Sequence, residues 1–184
     1  TKLSDADPIM LVFDQQQRFE DGREWGYIDM AMRIASPQVL TQAGTVPLPW
    51  DPSKGDLIIH HIEIIRGAER IDALAGGKQF QVIQREQQLE RAWLNGQLTA
   101  TLPVEGLRVG DVLRIAFSVT SKDPALQGHV QTAAGLMAEP MRMQFGRIRL
   151  LRPQSTKLRW VAHTQLPESL TVALPDGLQA VASA

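Results

Sequence analysis

The stretch Asp111-Val112-Leu113-Arg114-Ile115-Ala116-Phe117-Ser118-Val119-Thr120 decides the fold. Its large apolar side chains, Leu113, Ile115, Phe117 and Val119, fall on alternate positions, against Arg114, Ala116 and Ser118. A half-buried antiparallel strand requires this, because successive side chains point to opposite faces of a sheet. Upstream, Gly26–Ile34 repeats the pattern with Ile28, Met30, Met32 and Ile34 against Asp29 and Arg33. Leu57–Arg66 is denser in isoleucine and reads as a central strand covered on both faces.

Turn signals recur between these runs: Glu20-Asp21-Gly22-Arg23, Arg66-Gly67-Ala68-Glu69, Gly76-Gly77, Asn95-Gly96, Val109-Gly110-Asp111 and Pro175-Asp176-Gly177. Asn95-Gly96 suits a type I′ hairpin, which would pair Leu89–Trp93 with Gln97–Leu102. Gln84–Arg91 reads as strand, although its composition also suits a helix. One short helix is expected after Ser36 as N-cap and Pro37 in the first turn, ending at a left-handed Gly44. In Met141–Leu151 the apolar parity changes from Met143 and Phe145 to Ile148 and Leu150, so a β-bulge is expected at Gly146.

Strands at this spacing predict an all-β protein, an antiparallel β-sandwich or barrel of about ten or more strands with one short helix. Residues 1–7 are expected to be a disordered end, 8–178 the sandwich domain, and 179–184 a tail or linker start. The stretch 125–140 is where two sub-sheets or sub-domains would divide.

The chain has 184 residues, enough to bury a core without staples. With 19 basic and 20 acidic residues it has no long-range field for nucleic acid or an anionic membrane. No apolar run is long enough to span a bilayer, so no transmembrane segment is expected. The absence of cysteine removes disulfides, thiolate metal sites and cysteine nucleophiles together. The chain starts at Thr1 and carries no signal peptide, as expected of a mature form or a fragment.

Candidate chemistry is sparse. His60 and His61 are adjacent, so in a regular strand they point to opposite faces and cannot share one metal. Glu63 shares a face with His61, and His129 or His163 would have to approach from elsewhere, which makes a metal-dependent hydrolase the weakest of the readings. Ser118 and Ser121 lie in or beside a plain strand without a Gly-x-Ser-x-Gly elbow. Gly76-Gly77-Lys78 lacks the rest of a phosphate-binding loop. Met141–Trp160 carries Arg142, Arg147, Arg149, Arg152, Lys157 and Arg159 without an acid, and reads as a solvated strand face. Trp25 and Tyr27 share the face opposite the apolar one, an arrangement that holds sugar rings or packs against another domain. Trp50, Trp93 and Trp160 are expected as core or interface anchors. The candidate interaction surface is therefore Trp25, Tyr27, Arg91 and Trp93, with no catalytic, cofactor-binding or metal residue assigned.

Three stretches carry a resemblance. They are Ile62–Asp72, then Arg85–Arg91 with Asn95-Gly96-Gln97-Leu98-Thr99, then Leu107-Arg108-Val109-Gly110-Asp111-Val112-Leu113, followed by Asp123-Pro124. In this order and spacing the chain resembles the uncharacterised domain found immediately N-terminal to transglutaminase-like domains in bacterial exported proteins. One departure is Arg66-Gly67-Ala68, where that family more often has Asp-Gly. The resemblance implies an immunoglobulin-like sandwich, a periplasmic or otherwise exported location, and a downstream transglutaminase-like partner domain with a Cys-His-Asp triad. No residue of that triad can be placed on a chain without cysteine. The expected function is that of a non-catalytic structural or interaction domain, not an enzyme, with no cofactor. The alternative is a module that binds cell-envelope carbohydrate or peptidoglycan.

Overall fold

The structure is a computed structural model, and it describes residues 9–84, 96–135, 143–153, 155–157, 159 and 178–179. The strands are β1 (Met10–Glu20), β2 (Arg23–Arg33), β3 (Thr45–Trp50), β4 (Leu57–Arg66), β5 (Glu69–Asp72), β6 (Gln81–Gln84), β7 (Leu98–Pro103), β8 (Val112–Ser121), β9 (Met143–Pro153) and β10 (Leu178–Gln179). One helix, α1 (Pro37–Ala43), joins β2 to β3. The expected all-β, sandwich-like architecture with one short helix is present. A seven-stranded sheet runs β10-β9-β1-β2-β8-β4-β5, and a three-stranded sheet runs β3-β7-β6. Among the described residues every pair is antiparallel except β1 with β9, which is parallel.

The core lies between the β2-β8-β4 half of the large sheet and the small sheet. Ile34, Ile62, Ile64 and Leu113 meet Val46, Leu48, Ala100 and Leu102 there, with Val39 and Leu40 of α1 closing one side. Ile62 is 0% exposed, and burying such a side chain contributes about 1.5–3 kcal/mol. The Ser36 hydroxyl accepts from the Val39 N–H at 3.2 Å, as an N-cap should.

Hairpin chemistry explains the tight connections. Asp21 and Gly22 both have positive φ (53° and 68°), the requirement of a type I′ turn between β1 and β2. Gly67 alone is positive (59°) in the β4–β5 turn, which suits type II′ and explains why Gly-Ala serves there.

Several expectations are corrected. Gly44 is not left-handed: its φ is −64°. A Cβ there would sit 3.2 Å from the Leu40 carbonyl, so the glycine permits a close approach where the chain enters β3. No bulge occurs at Gly146, because β9 keeps one register along β1. The parity change instead leaves Phe145, 47% exposed, on the outer face with Arg147, while Ile148 and Leu150 face inward. Bulges lie at Leu11 in β1 and at His60 in β4. β4 is covered on its inner face only; Ile58 on the outer face is exposed. Leu98–Thr101 pair with β3 on one side and with Gln81–Gln84 on the other, and Leu89–Trp93, the other arm of the expected hairpin, lie outside the described residues. β3 pairs only with β7 among the described strands and carries Pro47 and Pro49.

Candidate functional site

The motif residues of the sequence form a structural clasp. Arg66 reaches from the end of β4 to Asp111, its Nε donating to Oδ1 at 2.9 Å and Nη2 to Oδ2 at 2.7 Å. The same Nη2 donates to the Gly106 carbonyl at 2.8 Å, and the Arg108 N–H donates to Asp111 Oδ2 at 2.8 Å. Gly110, with φ at 98°, lets the backbone turn so that its N–H reaches the Ile34 carbonyl. The Arg66 guanidinium holds the Asp111 carboxyl below its ordinary value, against a smaller upward push from burial. This arrangement fixes loop 104–111 and leaves no open group for chemistry.

Two other regions present functional side chains. The first is the outer face of the large sheet. Arg147, Asp14, Asp29, Ala116 and His61 form one cross-strand row, and Arg149, Gln16, Tyr27, Ser118 and Ile58 the next. Asp14 and Asp29 are directly opposite, a repulsive placement for like charges. Each is met by its own arginine: Arg114 donates to Asp29 at 3.0 and 2.7 Å, and Arg147 to Asp14 at 2.8 and 2.5 Å. Burial pushes the Asp14 carboxyl up, but Arg147 and Gln16 together carry it below its ordinary value. Tyr27 is raised by burial and by the charge of Asp29, so its hydroxyl keeps its proton.

Trp25 and Tyr27 both lie on this outer face, paired with Thr120 and Ser118 of β8. Arg18 sits 5.2 Å from the Trp25 ring centre, and His60 sits 5.5 Å from that of Tyr27. Arg91 and Trp93 lie outside the described residues, as does His163. The bulge corrects the expectation for the histidines. Ile59 and Ile62 both pack inward, so His60 and His61 both face outward rather than to opposite sides. His60 Nε2 shares a 2.8 Å hydrogen bond with Ser118 Oγ, and His61 Nε2 is buried with no partner among the described residues. Glu63 instead accepts from Arg70 at 3.0 Å. No group of three metal-ligating side chains is assembled among the described residues. His60 and Ser118 have the distance of a base–nucleophile pair, but no acidic side chain orients His60 among the described contacts and Ser118 sits within a regular ladder.

The second region is a cleft under the segment 122–135, which folds back across the inner face of β1 and β2. Gln17 Nε2 donates to Thr132 Oγ1 at 3.0 Å and to the Ala133 carbonyl at 3.3 Å. Thr132 Oγ1 in turn donates to Glu24 Oε1 at 2.7 Å. Two cavities, about 140 and 210 Å³, share Glu24 and Ser121 in their walls. Burial pushes the Glu24 carboxyl above its ordinary value, and the Thr132 hydroxyl offsets only part of that. Gln17 is 3% exposed, and its Oε1 has no partner among the described residues. Sequence reasoning missed this cleft, because residues 17, 24 and 132 share no spacing. The one readable trace is Gln17 itself, a polar side chain at an inward position between Phe13 and Phe19.

A family model described as a Domain of Unknown Function with a solved structure (DUF3857) matches residues 20–179. No curated protein matches the chain. Among solved structures, the chain is similar to the crystal structure of a "putative protease" from Parabacteroides distasonis, with 12% identity and a TM-score of 0.61. The match covers 80% of this chain but 29% of that one, so this chain spans less than a third of that protein's length. At that identity the likeness is one of fold.

Proposed function

The chain belongs to the DUF3857 domain family, and from that membership we propose that it is a non-catalytic interaction domain of a larger exported, periplasmic protein. Its partner is a transglutaminase-like domain of the same polypeptide, and its role is to hold and present rather than to react. The observation that carries this reading is the 29% share of a longer protein whose name is that of a protease. The missing thiol supports it, since a Cys–His nucleophile would have to come from outside this chain. The parent reading frame tests the association directly: a downstream transglutaminase-like region is expected, and a frame without one overturns it. For the second half of the claim, the pure chain is assayed for peptide hydrolysis and acyl transfer. Turnover abolished by Ser118→Ala or His60→Ala would overturn the non-catalytic role.

A second reading has its own observation. Tyr27 and His60 place two rings 5.5 Å apart beside Trp25 on the outer face, flanked by hydrogen-bonding ion pairs. Such rings stack on sugar faces, which favours a cell-envelope glycan as a ligand. Peptidoglycan pull-down compares wild type with Trp25→Ala and Tyr27→Ala. Equal retention of all three removes the idea.

A further inference from the structure

We propose that the cleft between β2 and the segment 122–135 is a binding site for a primary ammonium group carried on a short aliphatic stem, of the kind a lysine side chain or a free alkylamine presents. The site is separate from the outer face, and it does not depend on which domain neighbours this one.

The larger cavity has two kinds of wall. Ile28, Phe117, Val119 and Ala133 supply apolar surface, while Glu24 and Gln17 supply the polar end. An apolar wall ending in one carboxylate matches an alkylammonium, which buries its methylenes and presents its charge at the tip. At about 210 Å³ the space is below the roughly 300–1,000 Å³ of drug-sized pockets, so it suits a group of side-chain size.

The electrostatics point to a donor, not an acceptor. Glu24 sits between two cavities, and among the described residues its hydrogen bond comes from the neutral Thr132 hydroxyl. Lys54, the cation lining the smaller cavity, is engaged by Asp123 at 3.0 Å and Asp51 at 3.6 Å. The Gln17 amide is fixed in orientation by the Ala133 carbonyl, which accepts only from its nitrogen. Gln17 Oε1 is therefore left a buried acceptor with no partner among the described residues, in a side chain that lines the same cavity.

The test is a titration of the full chain, read by backbone amide NMR, with n-butylammonium, with neutral n-butanol, and with a lysine-containing peptide beside its acetyl-lysine form. Saturable shifts at Glu24, Thr132 and Ala133 are expected with n-butylammonium and not with n-butanol. Glu24→Gln keeps the acceptor for Thr132 but removes the charge, and should weaken ammonium binding about tenfold or more. Ala133→Leu should weaken it by filling the cavity while leaving the carboxylate in place. Binding of the lysine peptide but not its acetylated form identifies a protein side chain as the source; binding of the free amine alone identifies a small molecule. The proposal is overturned if n-butylammonium gives no saturable shift at these residues, as for a cleft that holds water only. It is equally overturned if n-butanol binds as well, or if both variants bind like wild type.

Discussion

Burial raises the Glu24 carboxyl above its ordinary value, so at neutral pH the folded state bears a charge it solvates poorly. Between the unfolded and folded values the native state binds the extra proton, and stability falls as pH rises through that window. Lys54, Asp123 and His129 face the adjoining cavity and remain in the variant. Glu24→Gln is therefore expected to raise the melting temperature at pH 7, with the gain vanishing below about pH 4. A variant no more stable than wild type at pH 7 contradicts this. Gly55 is constrained by space instead: a Cβ would lie 2.0 Å from the Thr120 carbonyl and 2.6 Å from its hydroxyl oxygen. That threonine receives the Asp56 N–H at 2.9 Å and ties the 51–56 loop to β8. Gly55→Ala should cost on the order of 3 kcal/mol in urea unfolding. The reading of Trp25 and Tyr27 as outward-facing was legible at this scale, since alternation alone assigns a face. The Glu24 cleft was not, because contact between residues 24 and 132 is a product of tertiary folding.

At the scale of elements, what stabilises the junction of β4, β8 and loop 104–111 is one carboxylate. Asp111 is 3% exposed and satisfies Arg66 and the Arg108 N–H. Removing it leaves donors unmet, so Asp111→Ala is expected to lose about 2–3 kcal/mol of unfolding free energy. An unchanged denaturation midpoint would show that the clasp is incidental. Strand identity in β2 and β8 could be read from period two, and the β1–β2 turn from Asp21-Gly22. The bulge at His60 could not. A bulge is defined by the partner strand, and the run from Ile58 to Ile65 has apolar side chains on both parities. For the same reason the parity change in β9 was open to two explanations: a bulge, or apolar residues on both faces. The partner of β9, the distant and parallel β1, leaves no local trace.

Across the whole molecule the acidic groups set the response to pH. Asp111 is held low chiefly by Arg66, Asp51 by Ser53 and Asp123 by Lys54; Asp14 stays low despite burial because Arg147 and Gln16 outweigh it. A carboxyl whose folded value is depressed gives stability that is present above its unfolded value and lost as pH falls through the folded one. Stability should therefore hold between pH 7 and 5 and decline below about pH 4; a midpoint that is flat down to pH 2 would refute this. Between the Glu24 and aspartate effects the opposite signs predict a shallow maximum in mildly acid solution.

Pro47 and Pro49 stand at alternate positions of β3, so both lack their N–H on the same side of that strand. The ladder to β7 is intact at both positions, which puts the missing donors on the side away from β7. An incoming chain would find acceptors there but no donors at two successive sites, and templated growth of fibrils from that margin has nothing to zip onto. Replacing both prolines with valine should make turbidity on concentration rise with time where the native protein stays clear.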